Sequence, residues 1–153
     1  MRKNHLILFA LIVCFSFFFH INLGKTVILA ADIYKNGKGY NTKEWKNSET
    51  IAFLKQIPND RKIYSNGYDI VSFMTEKKVK TIPREVNPNT SLPNQDFAKE
   101  LEGMCINIGK GDLFVYFFKI NWRWYFPTLD EIEKNCKLTV IQHFSDGIIY
   151  GSK

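Results

Sequence analysis

The stretch Arg61–Lys77, RKIYSNGYDIVSFMTEK, decides how the rest of the chain is read. Lys62–Ser65 has the look of a short strand, with Ile63 pointing to one face and Tyr64 to the other. Asn66 fits a helix N-cap, since its side-chain oxygen can accept from a backbone N–H two or three residues on. Asp69 then falls in the first turn, where a negative charge suits the helix dipole. Ile70, Phe73 and Met74 recur at helical spacing and mark one buried face. A strand that feeds a helix through a polar turn is half of a βαβ unit. Val79–Ile82 supplies the next strand, and Pro83 stops it.

The chain on either side agrees with this pattern. Upstream, Thr42 is expected to cap a helix running to about Gln56, ended by Pro58. Downstream, Arg84–Pro93 lacks periodicity and reads as a long surface loop, a place where binding also occurs. Asn94 is expected to cap a helix whose Phe97, Leu101, Met104 and Ile108 form one stripe, closed by Gly109 and Gly111. Asp112–Lys119, DLFVYFFK, is apolar on both faces and predicts a central buried strand. Thr128 and Glu131 have capping-box spacing and predict a short helix to about Asn135. Leu138–Phe144 predicts another strand, turned at Ser145-Asp146-Gly147 into a hairpin with Ile148–Tyr150. The expected fold is α/β, a mainly parallel sheet flanked by helices with an antiparallel C-terminal hairpin.

An apolar segment precedes this domain. Leu6–Phe19 has Ser16 as its only polar residue, and Arg2 and Lys3 come before it. A signal peptide and a membrane anchor both fit such a run. The large Leu29 makes Leu29-Ala30-Ala31 a poor cleavage site, which favours an uncleaved anchor over a secreted product. The expected organisation is an anchor over 1–31 and an extracytoplasmic domain over 32–153, with Arg2 and Lys3 on the cytoplasmic side.

Composition narrows the function classes. The formal charge is +6 over 153 residues. Arg2, Lys3 and Lys25 belong to the apolar segment and account for half of that surplus. What remains is weak and evenly spread, which excludes a nucleic-acid footprint. His5, His20 and His143 are far apart and Cys14, Cys105 and Cys136 form no zinc-like spacing, so neither metal nor cofactor is expected. Cys105 and Cys136 read as small buried hydrophobes, with pairing the alternative in an oxidising compartment.

Two groups of residues qualify as candidate sites. Ser65, Asn66 and Asp69 fall at the carboxyl end of a predicted parallel strand, the usual ligand position in open α/β sheets. Helix capping explains Asn66 and Asp69 equally well. Trp122, Arg123, Trp124 and Tyr125 form an aromatic cluster between elements. It could stack on a sugar, contact lipid headgroups, or alternate between core and surface around a stacked Arg123. Asp130, Glu131 and Glu133 on one helix start are explained by capping and the dipole, and His143 and Asp146 read as solvated.

Several stretches together resemble a known family. GYNTKEWKNSETIAFLK, KIYSNGYDIVSFMTEK, DLFVYFF, WRWYFPTLDEIEK and SDGIIYG are similar to the C-terminal extracytoplasmic region of bacterial polytopic glycosyltransferases of the GT-C class. The dolichyl-phosphate-mannose and aminoarabinose transferase types are its relatives. That resemblance implies a membrane helix followed by an α/β tail, and polyprenyl-phosphate sugars as donors. In that family the catalytic acidic residue lies in the first extracytoplasmic loop of a many-helix bundle. Here no acidic residue precedes Asp32, so no catalytic residue carries over.

The leading expectation is therefore a membrane-anchored, non-catalytic domain, a truncated or split tail or an accessory subunit. Its partners would be the membrane, a polytopic glycosyltransferase, and a glycan or polyprenyl-linked sugar. The alternatives are an independent glycan- or lipid-headgroup-binding module using Trp122–Tyr125, and a small anchored hydrolase using Ser65 or Asp69.

Overall fold

The computed structural model describes residues 2–152. The side chains of Arg2, Lys3 and Leu6, on which the orientation and the start of the apolar run rest, lie outside the described part. The chain divides into two units, Met1–Lys43 and Glu44–Lys153.

The first unit is dominated by one helix, α1 (Arg2–Asn36). Its 30-residue stretch Ile7–Asn36 is apolar and long enough to cross a membrane, against a need for about 20 residues. The helix runs past Ala31, the expected end of the anchor, as far as Asn36. Asn36 Nδ2 donates to Asp32 Oδ1 at 2.7 Å, a pairing one turn apart that supports the extra turn. Gly37 then ends the helix in the left-handed region, φ +82°, and its N–H donates to Ile33 O at 2.9 Å.

In the second unit helices cover both faces of a five-stranded sheet. The helix expected from Thr42 is broken in two, α2 (Lys43–Lys46) and α3 (Glu49–Gln56). Ser48 causes the break: its backbone is extended and its Oγ accepts from Ile51 N at 3.0 Å, starting a new helix. The remaining order is β1 (Ile63–Ser65), α4 (Tyr68–Thr75), β2 (Val79–Thr81), α5 (Phe97–Gly109), β3 (Leu113–Phe117), α6 (Leu129–Asn135), β4 (Thr139–His143) and β5 (Gly147–Gly151). Asn94 lies before α5 in a turn, where its Oδ1 accepts from Asp96 N at 3.1 Å, and Asp96 holds the cap position.

The sheet order is β2-β1-β3-β5-β4. β1 pairs in parallel with β2 and β3, while β5 pairs antiparallel with β3 and β4. The sheet is therefore mixed rather than mainly parallel. The reason is local. The α6 crossover leaves one slot vacant beside β3, and the hairpin returns β5 into it. Four strands point the same way, but the reversed one lies between two of them. β5 is buried throughout and β4 largely exposed, so the more apolar arm of the hairpin, GIIYG, takes the inner position.

Strand alternation divides the core in two. Ile63, Leu113, Val115 and Ile149 meet α3 and α4 through Ile51, Leu54, Ile70 and Val71. Tyr64, Phe114, Ile148 and Tyr150 meet α5 and α6 through Leu101, Met104, Ile108 and Ile132. Each of these large side chains contributes about 1.5–3 kcal/mol by leaving water.

Cys105 and Cys136 form a disulfide with Cα atoms 5.1 Å apart, where the sequence reading favoured separate thiols. The cause is topological: α5 and α6 lie side by side, so the end of α6 comes opposite the middle of α5. Asp146 also differs from its expected solvated state. It accepts from the Ser48 hydroxyl, and its Oδ1 accepts from Thr50 Oγ1 at 2.7 Å, tying the hairpin turn to α3.

Candidate functional site

The two candidate groups, read separately from the sequence, form one structure. β1 ends at Ser65, and the chain turns through Asn66 and Gly67 into α4. β3, beside it, ends at Phe117 and leads into the aromatic loop. Both segments leave at the carboxyl ends of their strands, and so at the same end of the sheet, because β1 and β3 are parallel neighbours.

Asn66 is not the helix cap. Gly67 occupies that position. Asn66 Oδ1 accepts from Phe117 N at 2.9 Å, and its Nδ2 donates to Phe117 O at 3.0 Å. The side-chain amide thus extends the β1–β3 ladder by one rung, in place of a backbone pair. Ser65 is fully buried, and its Oγ accepts from Gly67 N at 2.9 Å. Gly67 is required by close approach, since a Cβ there would lie 2.6 Å from Ile120 Cδ1.

Arg123 reaches into this turn from the aromatic loop. Its Nη1 donates to Asn66 O at 3.0 Å, and its Nη2 donates to Asp69 Oδ1 at 2.7 Å and Oδ2 at 2.5 Å. The Arg123 side chain is 3% exposed and that of Asp69 26%. The guanidinium centre lies 4.6 Å from the Trp122 ring and 5.2 Å from that of Tyr68. An arginine in this setting is held by charge, by hydrogen bonds and by stacking together.

The loop itself alternates. Trp122 and Trp124 are 62% and 59% exposed. Arg123 and Phe126 point inward, and Tyr125 is half-buried. Glu85 N donates to Tyr125 O at 3.0 Å, and Phe126 N donates to Arg123 O at 3.0 Å, so the backbone is fixed. The exposed rings are therefore presented from a hydrogen-bonded turn.

These positions set limits on chemistry. The Ser65 hydroxyl is sealed from solvent and engaged by Gly67. Both Asp69 oxygens accept from Arg123. A nucleophile or base needs an accessible lone pair within reach of a substrate; Ser65 is buried, and the oxygens of the partly exposed Asp69 are engaged by Arg123. Among the described residues no cluster of His, Cys, Asp or Glu is arranged to hold a metal ion.

On α6, Glu131 accepts from Thr128 N at 2.7 Å and Thr128 Oγ1 accepts from Glu131 N at 3.3 Å, a capping box. The Thr128 hydroxyl, donating to Glu131 Oε2 at 2.6 Å, and the Thr128 N–H together hold the Glu131 carboxyl below its ordinary pKa. Glu133 accepts from Tyr150 OH at 2.5 Å. Burial, with that carboxylate beside it, pushes the Tyr150 phenol well above its ordinary value. The three acidic residues are thus helix-start and packing groups.

Sequence reasoning missed Tyr68 and the Phe117 backbone as partners of the site. A tyrosine one residue after a Gly-containing turn gives no signal of its own. The partner of Asn66 lies 51 residues away. Comparison with protein-family models, curated proteins and solved structures finds no match.

Proposed function

We propose that this chain is a membrane-anchored extracytoplasmic domain that contributes recognition rather than bond-making chemistry. It would work as the tail or accessory subunit of a polytopic, polyprenyl-phosphate-sugar-dependent glycosyltransferase. The observation that carries the location is the conjunction of a membrane-length apolar helix with a disulfide-stapled domain. Disulfides persist in oxidising compartments and are rare in the cytosol. The resemblance of the aromatic loop and the β1–α4 turn to the GT-C tails supports the partner class. The engagement of Ser65 and Asp69 in structural bonds favours this reading over an anchored hydrolase.

The test is a sugar-transfer assay with a radiolabelled polyprenyl-phosphate hexose. Membranes from cells lacking the chain should lose transfer and regain it when the full chain is restored. The purified chain alone should transfer nothing. Transfer by the purified chain, or undiminished transfer in its absence, overturns the proposal.

A second reading, an independent glycan- or headgroup-binding module, is favoured by Trp122 and Trp124. Two exposed indoles on a fixed loop make a stacking platform. Glycan-array binding that disappears in Trp122→Ala and Trp124→Ala, with unchanged unfolding curves, would support it. An array without binding rejects it.

A further inference from the structure

On the α5 side of the sheet, a cleft of about 580 Å³ opens between the β2 edge, the segment after Pro83, and the flank of α5. Small-molecule sites typically span about 300–1,000 Å³. Two cations line it, Lys80 and Arg84, together with Tyr64, Asn107 and Glu100.

Arg84 contrasts with Arg123. Its guanidinium centre lies 5.6 Å from the Tyr125 ring. Unlike Arg123 it makes no ion pair among the described residues, while the Nε of both arginines is buried without a hydrogen-bond partner among them. Lys80 is likewise without a carboxylate, its Nζ 5.7 Å from the Tyr64 ring. Two cations beside one cleft favour an anion.

The remaining polar groups point to more than a bare anion. Tyr64 OH accepts from Asn107 Nδ2 at 2.9 Å, so its own proton remains to be donated. Glu100 Oε2 accepts from Asn94 Nδ2 at 3.0 Å, which leaves its other oxygen to accept. A carboxylate repels an oxyanion but accepts from hydroxyls. Gly103, in the middle of α5, also lines the cleft, and a Cβ there would meet nothing within 4 Å. Glycine weakens a helix interior. Here no close neighbour demands it, and its missing side chain leaves room in the cleft.

We propose that this cleft binds a small polyol bearing a phosphate or carboxylate. The oxyanion lies between Lys80 and Arg84, and the hydroxyls face Tyr64, Asn107 and Glu100 over Gly103. The inference stands on the cleft alone and does not depend on the anchored-tail reading.

The test is an NMR titration of the ¹⁵N-labelled full chain in detergent micelles. Glucose 6-phosphate and glucuronate are the probes, with glucose and inorganic phosphate as single-group controls. Saturable shifts are expected at the Gly103 amide and the Asn107 side chain. They should weaken about tenfold in Arg84→Gln and in Lys80→Gln, as loss of a charge-assisted contact implies. They should vanish in Gly103→Leu, which builds into open space, and persist in Lys119→Gln, which lies outside the cleft. No saturable shift with either probe, or equal affinity in Arg84→Gln, overturns the proposal. Glucose binding as well as its phosphate removes the role of the anion, and inorganic phosphate binding as well removes that of the polyol. Nanodiscs of phosphatidylcholine with and without phosphatidylinositol separate the carriers of this chemistry. Shifts with added sugar phosphate alone assign a soluble ligand, and shifts with the inositol lipid alone assign a headgroup.

Discussion

Arg123 Nη2 donates to both carboxylate oxygens of Asp69, across 54 residues of sequence. This pair locks the aromatic loop to the start of α4. The arginine is the more deeply buried partner, so the two substitutions are not equivalent. Asp69→Asn leaves a buried guanidinium without its counter-charge, a change that costs about 3–5 kcal/mol in comparable buried pairs. Partial exposure of Asp69 places this case at the lower end. Arg123→Met with Asp69→Asn removes both charges and should recover part of that loss. Urea unfolding of the full chain in detergent, followed by tryptophan fluorescence, measures both. A cost below about 1 kcal/mol for Asp69→Asn would show that the pair behaves as a solvated surface bridge.

The disulfide gives a second expectation. Cys105 and Cys136 are separated by 31 residues, and closing a loop of that length in the unfolded chain stabilises the folded state by about 3–4 kcal/mol. Cys105→Ser with Cys136→Ser should lower stability by that order. Before reduction, a maleimide reagent under denaturing conditions should label one thiol per chain, that of Cys14, the free cysteine. Labelling of three thiols in protein isolated from membranes would contradict both the bridge and the oxidising location built on it.

Much of the fold was legible because its signals are local. The stripe Phe97, Leu101, Met104 and Ile108 gave α5, the doubly apolar DLFVYFF gave β3, and the Thr128–Glu131 spacing gave the capping box. What was not legible depends on topology. The position of β5 between β3 and β4 follows from the hairpin filling a crossover slot, and a strand string does not contain that choice. The contrast between GIIYG and TVIQH did hold the signal, since the more apolar arm belongs inside. Asn66 has the composition of a cap but bonds to Phe117, because β1 and β3 end together. Ser48 broke a helix that periodicity alone would continue. The Arg84 cleft draws on β1, β2, the following loop and α5, and no single stretch displays it.

The capping box predicts an acid-side dependence. Thr128 holds the Glu131 carboxyl below its unfolded value of about 4.5. A group with a depressed folded pKa contributes stability that is complete above the unfolded pKa. That contribution is lost as pH falls below about 4.5 through the folded value. Thr128→Ala should cost about 1 kcal/mol at neutral pH and should flatten this part of the profile. Because Glu131 is mostly exposed, the pH-dependent share is smaller than the cap's total and is reduced further by salt. Thermal unfolding of both proteins between pH 3 and 7 decides it. Parallel profiles would mean that Glu131 gains nothing from Thr128.

Two glycines on the helices give opposite expectations from the same substitution. At Gly67 a new Cβ would meet Ile120 Cδ1 at 2.6 Å and the Phe117 ring at 3.0 Å. Both neighbours are buried in the core beneath α4, and Phe117 is fixed by Asn66, so neither can retreat freely. Gly67→Ala should destabilise by about 1–3 kcal/mol, the range for overpacking, and should loosen the turn that receives Arg123. At Gly103 the same methyl enters open space, and helix propensity is the only change. Gly103→Ala should stabilise by about 0.5–1 kcal/mol. Urea midpoints for the two variants, at unchanged slope, measure the difference directly. A stabilising Gly67→Ala would mean that the β1–α4 turn is looser than its contacts imply. A destabilising Gly103→Ala would mean that its face of α5 is covered, and the cleft with it.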